Sequence, residues 1–389
     1  MTTMAQKNAT SLLAAIVGIA LLTGFSIYAL HAENEVSMLI LLAAGLGGAF
    51  VAHKSGFAAR AAQGLQTHRQ AGNLCIVFAF AVVVLVFRND HFALLQLATL
   101  LLYSAVCIGL NLQIGYCGVM NFAGAAFFGV GAYTAAVLAT HTQVPHPLVL
   151  LAGGLAAALI GSVLLLPVLR TRGHYAALVT IAFGTMFRSF LEVNDTLGGP
   201  QGLTVPGLQI LGWKLSDGPE LFGVSFSFYV NYVILAFALV TAMFILTKRI
   251  KRSWIGLSLD AVRIDETAAS TFGIHIVRWK ITAFVIGNLF AGIAGAFFAM
   301  MTGFVAPTNF TLADSLILLS IVVLGGIGNL WGILPAAAIV LLLPEKLQAI
   351  QEYRFLLYAV AVILILLFRP QGIFPRRLRA FIPGWGNAR

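Results

Sequence analysis

The side chains that could do chemistry are few and widely spaced in this sequence. Three cysteines, Cys75, Cys107 and Cys117, lie in or beside apolar runs with no paired spacing, so they read as packed thiols. The eight histidines form no HExxH, and no His, Asp or Glu cluster has metal-ligand spacing. There is no GxxxxGK[ST] loop to cradle a phosphate and no serine in a GxSxG elbow. The chain therefore carries no ATP-hydrolysing motif, and neither a catalytic residue, nor a metal, nor a cofactor is expected. It reads as a non-enzyme. What remains is a handful of charges near apolar runs. Arg188 and Glu192 are four apart on one helix face and can pair with each other. Asp314 follows Thr311 at the start of an apolar run, where an acid complements a helix N-terminus. His174 stands alone after Arg172. One run stands out as polar: RIDETAASTFGIH, from Arg263 to His275.

The elements that must position these residues are membrane helices. Hydrophobic residues make up 60% of the chain and charged ones 9%, too little charge to keep a globular domain in solution. Repeated apolar runs near 20 residues can each cross a hydrocarbon core of ~30 Å as a helix. The expected fold is all-α: a polytopic transmembrane bundle of about 10–12 segments, some broken or re-entrant. The runs lie near 11–30, 36–52, 74–88, 92–110, 120–140, 148–169, 174–191, 228–247, 279–301, 312–327, 331–344 and 354–368. The first is read as a membrane helix, since Leu30-His31-Ala32 is a poor cleavage site.

The net charge of +10 would suggest nucleic acid in a soluble protein. Here the basic residues flank apolar spans, which makes them topology signals, and no nucleic acid partner is expected. Alternating sides from a cytoplasmic N-terminus puts segments 1–10, 53–73, 170–173, 248–280 and 369–389 inside. These hold most of the Lys and Arg, while most acids fall outside. Both termini are then expected in the cytoplasm. Residues 1–90 read as an N-terminal annex with a polar linker, 91–375 as the core, and 376–389 as a basic tail. The loop 248–278 is long, basic and cytoplasmic. The outer loop 192–227 is acidic and rich in Gly and Pro, suited either to receive a partner or to cap the bundle.

Two glycine-rich breaks interrupt the spans. In GLNLQIGYCGVMNFAGAAFFGVGAYTAA, Gly109–Ala136, the glycines permit close packing of membrane helices. They equally permit a broken helix whose freed backbone lines a solute path. Asn111, Gln113 and Asn121 add polar groups there. The second break, VLGGIGNLWGILP, predicts a tight turn with Trp331 as an interface anchor.

These stretches, with PVLRTRGHYAALVTIAFGTMFR, LGGPQGL, RIDETAASTFGI, FVAPTNFTLADSLILLSIVVLGGIGNLWG and FRPQGIFP, follow one another in an order that resembles the LivM-type permeases of high-affinity branched-chain amino acid ABC importers. The resemblance covers about residues 95–375. Gly124, His174, Leu257, Asp260 and Ile264 depart from residues common in that family, which leaves open related substrates such as urea, short amides or other amino acids. The resemblance implies a permease of the bacterial inner membrane working with a LivH-type second permease, two cytoplasmic ATPases and a periplasmic binding protein. An ATP-independent carrier is the reading from another class. The loop then becomes the ATPase-coupling element, through Arg263, Asp265, Glu266, Ala268, Ala269 and Gly273. Asp265 can cap a short helix, and Gly273 can end it. Asn111, Asn121, Phe127, Phe128 and Tyr133 are expected near the translocation path.

Overall fold

The computed structural model describes residues 2–31, 69–170, 175–210, 212–218, 220–221 and 224–346, with single positions at 48, 54, 55, 57, 60, 353, 356, 360, 363, 367, 372 and 376. The expected span 36–52 apart from Gly48, most of 354–368, His174 and the tail beyond Arg376 lie outside the described residues.

The described chain is helical throughout its apolar runs. In chain order the helices are α1 (Thr2–His31), α2 (Arg69–Val86), α3 (His91–Leu110), α4 (Gly124–His141), α5 (His146–Arg170) and α6 (Tyr175–Val193). There follow α7 (Tyr229–Arg252), α8 (Trp254–Ile264), α9 (Glu266–Thr271), α10 (Ile276–Thr302), α11 (Leu312–Gly325) and α12 (Ile333–Lys346). Among the described residues, seven helices are long and apolar enough to cross a membrane. The chain is a polytopic helical membrane protein.

By compactness the chain divides into two units. The first comprises Met1–Leu97, Gly218–Val233 and Leu342–Glu352. In it α1 packs on α2, and His31 meets Phe87 with ring centroids 6.4 Å apart. Ser227 donates its N–H to the Arg88 carbonyl at 2.9 Å, and its hydroxyl sits 2.8 Å from His91 Nδ1.

The second unit comprises Ala98–Asp217, Ile234–Leu341 and Tyr353–Arg389. Its centre is formed by α4, α5 and α10, which pack against one another. Small residues make this possible. A Cβ at Gly131 would collide with the Gly292 carbonyl oxygen, and one at Gly292 would lie 2.5 Å from that of Gly153, so neither position has room for one. Large apolar side chains are turned the other way: Leu148, Leu151, Leu155, Leu159 and Val163 of α5 are exposed, while Val149, Ala157 and Leu165 are buried. In water such a helix would be inside out; against lipid the arrangement places bulk outside and lets backbones meet inside.

The break in Gly109–Ala136 falls after a π-helix, toward the middle of the glycine-rich stretch. Helix α3 runs on as a six-residue π-helix, Asn111–Tyr116, and loses regular structure only at Gly118–Ala123, after Cys117. The second break behaves as expected, a turn between α11 and α12 with positive φ at Gly326 and Gly328. Trp331 is exposed there; its ring meets Phe244 edge-on at 4.8 Å, and Lys248 Nζ lies 5.6 Å from it.

The acidic loop is ordered by short antiparallel strand pairs that the sequence reading did not anticipate. β1 (Leu203–Thr204) pairs with β6 (Phe304–Val305), and β2 (Gln209–Ile210) with β3 (Trp213–Lys214). β4 (Glu220–Leu221) pairs with β5 (Val224–Ser225). Two-residue strands carry no alternating pattern, which is why they are invisible in the sequence. Nearby, Arg188 pairs with Glu192 at 2.8 Å, and Asp314 closes a capping box with Thr311.

Candidate functional site

A buried cluster of amides forms where the π-helix meets α10. Gln113 donates Nε2–H to the Phe284 carbonyl at 3.1 Å and to Asn288 Oδ1 at 2.9 Å. Asn121, in the segment after the π-helix, donates Nδ2–H to Gln113 Oε1 at 2.8 Å and to Asn288 Oδ1 at 3.3 Å. Its own Oδ1 accepts the Ala123 N–H at 2.9 Å, fixing the entry to α4. Gln113, Asn121 and Asn288 are essentially inaccessible, at 0%, 1% and 1% exposure. Burying three amides in an apolar bundle is costly unless they satisfy one another, and the triangle does this.

One donor is left over. Asn288 Nδ2 is buried with no hydrogen-bond partner among the described residues. The side chain cannot simply be turned around, because its Oδ1 accepts from both other amides and a flip would set donor against donor. The free amino group points at Gly161 of α5, where any Cβ would collide with it. Asn111, at the start of the π-helix, does a different job. It accepts the Gly328 N–H at 2.6 Å and donates to the Asn329 carbonyl at 3.0 Å, bracketing the α11–α12 turn.

Aromatic rings surround the cluster. Phe127 stacks on Phe183 at 5.2 Å and meets Phe284 edge-on at 5.8 Å. Phe128 lies against Tyr103, Phe298 and Phe310, and Tyr133 against Phe310. The hydroxyl of Tyr133 is buried and has no partner among the described residues. Every residue expected near a path is therefore fully buried in this conformation, and the structure brings Asn121 and Phe127 to one place. Tyr133 and Phe128 sit together at Phe310, while Asn111 serves the turn. Gln113, noted in the sequence as a polar group of the break but not placed near the path, and Asn288, not singled out at all, complete the cluster. The signal for Asn288 was present: it is the lone amide in a span of apolar and small residues, and such a group needs a partner or a function.

The second site is the hairpin made by α8 and α9 between two spanning helices, α7 and α10. Asp265 caps α9: its Oδ1 accepts from the Thr267 N–H at 2.8 Å and the Ala268 N–H at 3.0 Å. Gly273, with φ of 76°, ends it, and Ile274 N–H reaches back to the Ala269 carbonyl at 3.1 Å. Glu266 pairs with Lys280 at 2.7 Å, tying α9 to α10. Ala269 is buried, whereas Ala268 is exposed. Arg263 turns inward and donates to the Gly115 carbonyl at the end of the π-helix. Burial, and then the neighbouring Arg376, push its guanidinium below the ordinary arginine value. The outer surface is instead marked by Ile264 and Phe272, 74% and 85% exposed.

The family described as the branched-chain amino acid transport system permease component matches residues 92–368. The chain belongs to this family. Two relatives, each named a high-affinity branched-chain amino acid transport system permease protein LivM, come from Salmonella typhimurium and Escherichia coli K12. They are 33% and 34% identical, over 77% and 72% of this chain and 73% and 69% of their own lengths. A LivH permease protein of Salmonella typhimurium is 25% identical over 70% of this chain and 91% of its own. No solved structure matches the chain. The matched region of this permease begins within α3, so both the amide cluster and the hairpin fall inside it.

Proposed function

We propose that this chain is one of two permease subunits of an ATP-driven importer for branched-chain amino acids in the bacterial inner membrane, with both termini cytoplasmic. The energy comes from two partner ATPases that dock on the loop 248–278, and a periplasmic binding protein supplies the solute and most of the affinity. Residues 91–375 act as the transport core, with 1–90 as an annex. The observation that supports this best is connectivity. The exposed hairpin α8–α9 directly joins α7 to α10, and α10 carries Asn288 of the buried cluster. A push on the hairpin reaches α10 through the chain itself and through the Glu266–Lys280 pair.

In this reading the cluster is a polar step on an otherwise apolar path. Closed, its amides satisfy one another. Opened by movement of α10 against the π-helix, Gln113, Asn121 and Asn288 offer donors and acceptors to the ammonium and carboxylate of an amino acid, while Phe127 and Phe183 cover its aliphatic side chain. Binding there need only be weak, because the solute must leave on the other side.

The test is uptake of labelled leucine into vesicles holding both permeases and both ATPases, with binding protein and ATP on the appropriate sides. ATP-dependent uptake is expected. Uptake by the permeases alone on an ion gradient would overturn the reading. Titrating the binding protein with leucine, isoleucine, valine and urea separates branched-chain amino acids from related substrates.

A further inference from the structure

Arg376 comes from the FRPQGIFP region near the end of the chain, yet its side chain is only 7% exposed. It holds Asp260 of α8 through Nη2, at 2.5 Å to Oδ1 and 2.6 Å to Oδ2. Its Nη1 donates to the Gly115 carbonyl at 2.8 Å, and its guanidinium lies 4.4 Å from the centre of the Tyr116 ring. Gly115 sits in the last turn of the π-helix, where carbonyls have no partner in the helix itself. Arg263, three residues after Asp260 on α8, donates to that same carbonyl. The hairpin is thus fastened to the π-helix by two guanidinium groups that meet at one carbonyl, one of them held in turn by the Asp260 carboxylate.

We infer that Arg376 is a positioning residue for transport: it latches α8 to the π-helix, so that movement of the hairpin is carried to Gln113 and the amide cluster. The inference rests on the transport reading given above. Gln113 is only two residues before Gly115, and its Nε2 is the donor that joins the π-helix to Asn288. A π-helix suits the role. Its i→i+5 bonding is a rare arrangement, frequent at functional sites, with the α-helix as a close alternative. Rewinding toward α turns the residues beyond it relative to those before, which would withdraw Gln113 from Asn288. The latch gives the hairpin a grip on that change at the turn's end. The guanidinium is held at two points, Nη2 on the Asp260 carboxylate and Nη1 on the Gly115 carbonyl, so it can transmit displacement where a lysine held at one contact would swivel. Asp260 thereby acquires a partner.

The experiment uses the full transporter in vesicles and compares leucine taken up per ATP hydrolysed for wild type, Asp260→Ala, Arg376→Ala and the double variant. The latch predicts that either single change lowers this ratio by at least about fivefold while hydrolysis itself persists. The double variant should be no worse than the poorer single one, since both break one connection. A role in folding alone would lower uptake and hydrolysis together and leave the ratio unchanged, and that result overturns the latch. If Arg376→Ala does not assemble, Asp260→Asn decides the matter, because it keeps the shape and one acceptor oxygen but loses the charge and turns the other oxygen into a donor. A wild-type transporter that takes up no leucine with ATP would count against the transport reading itself, a separate failure.

Discussion

The seam between α4, α5 and α10 and the hairpin α8–α9 lie in one compact unit but are built by opposite rules. In the seam, backbones touch. Gly131, Gly153, Gly154 and Gly292 each lie against a neighbouring backbone carbonyl, with only the side chains of Ala157, Ile293 and Ala296 beside them. In the hairpin, short helices are held by their ends: the Asp265 cap, the left-handed Gly273 and the Glu266–Lys280 pair. The seam spends its surface on self-contact, so nearly any added atom disturbs it. The hairpin keeps Ile264, Ala268 and Phe272 exposed, and its outer face can change without disturbing its own fold. Shape is defended in the first region and left open to a partner in the second.

The strongest way to break this contrast is a pair of bulky substitutions. A Cβ on Gly292 would lie 2.6 Å from the Ala157 methyl and 2.9 Å from Gly154 Cα. Gly292→Leu should therefore abolish folded, monodisperse protein in detergent. Ala268→Trp should leave folding unchanged and remove ATP-driven uptake. Normal uptake in that variant would show that the hairpin face is not a docking surface.

A smaller effect is expected at the cluster. Asn288→Leu removes the shared acceptor but leaves Gln113 its Phe284 carbonyl and Asn121 its bond to Gln113. The cost should be about 1–3 kcal/mol in stability. Leucine uptake should fall by more than thermal melting of the purified protein implies. A loss of uptake no greater than the loss of folded protein would reduce the cluster to packing.

Smaller still is the cap. Asp265→Ala should cost about 1 kcal/mol, read as faster amide exchange at Thr267 and Ala268, with no change in the seam. The smallest effect is expected for Glu266→Gln. The Glu266 side chain is 54% exposed, and such pairs contribute about 0–1 kcal/mol. Its melting temperature should stay near wild type in high salt, and a large drop would mean that the tie between α9 and α10 matters more than its exposure suggests.

Much of this architecture was legible in the residues. Ten apolar runs among the described residues correspond to helices, because length and apolarity alone select a helix in lipid. The cap at Asp265 and the stop at Gly273 were readable for a similar reason: both act within a few residues of themselves. The strand pairs, the π-helix and the Arg376 latch were not. The end of the π-helix is held by Arg263 and Arg376, 148 and 261 residues away from Gly115 in sequence. In the sequence Arg376 looks like one more basic residue after a membrane run, indistinguishable from a topology signal.

Ala268 and Ala269 mark the same limit at a finer scale. Adjacent in a run of small residues, they are equal candidates for a partner's cleft in the sequence, yet one is exposed and the other buried. The sequence by itself determined that this chain is a helical membrane protein, where its spans lie, and that a capped polar hairpin interrupts them. Those properties follow from local composition and from the absence of water in a bilayer core. Only the tertiary structure decided that Gln113, Asn121 and Asn288 close on one another, that Asp260 belongs to Arg376, and which side of the hairpin is left free. Each of these depends on which helix faces which, a tertiary property; for the cluster, the close approach of Gly109 to Gly287 sets α3 against α10.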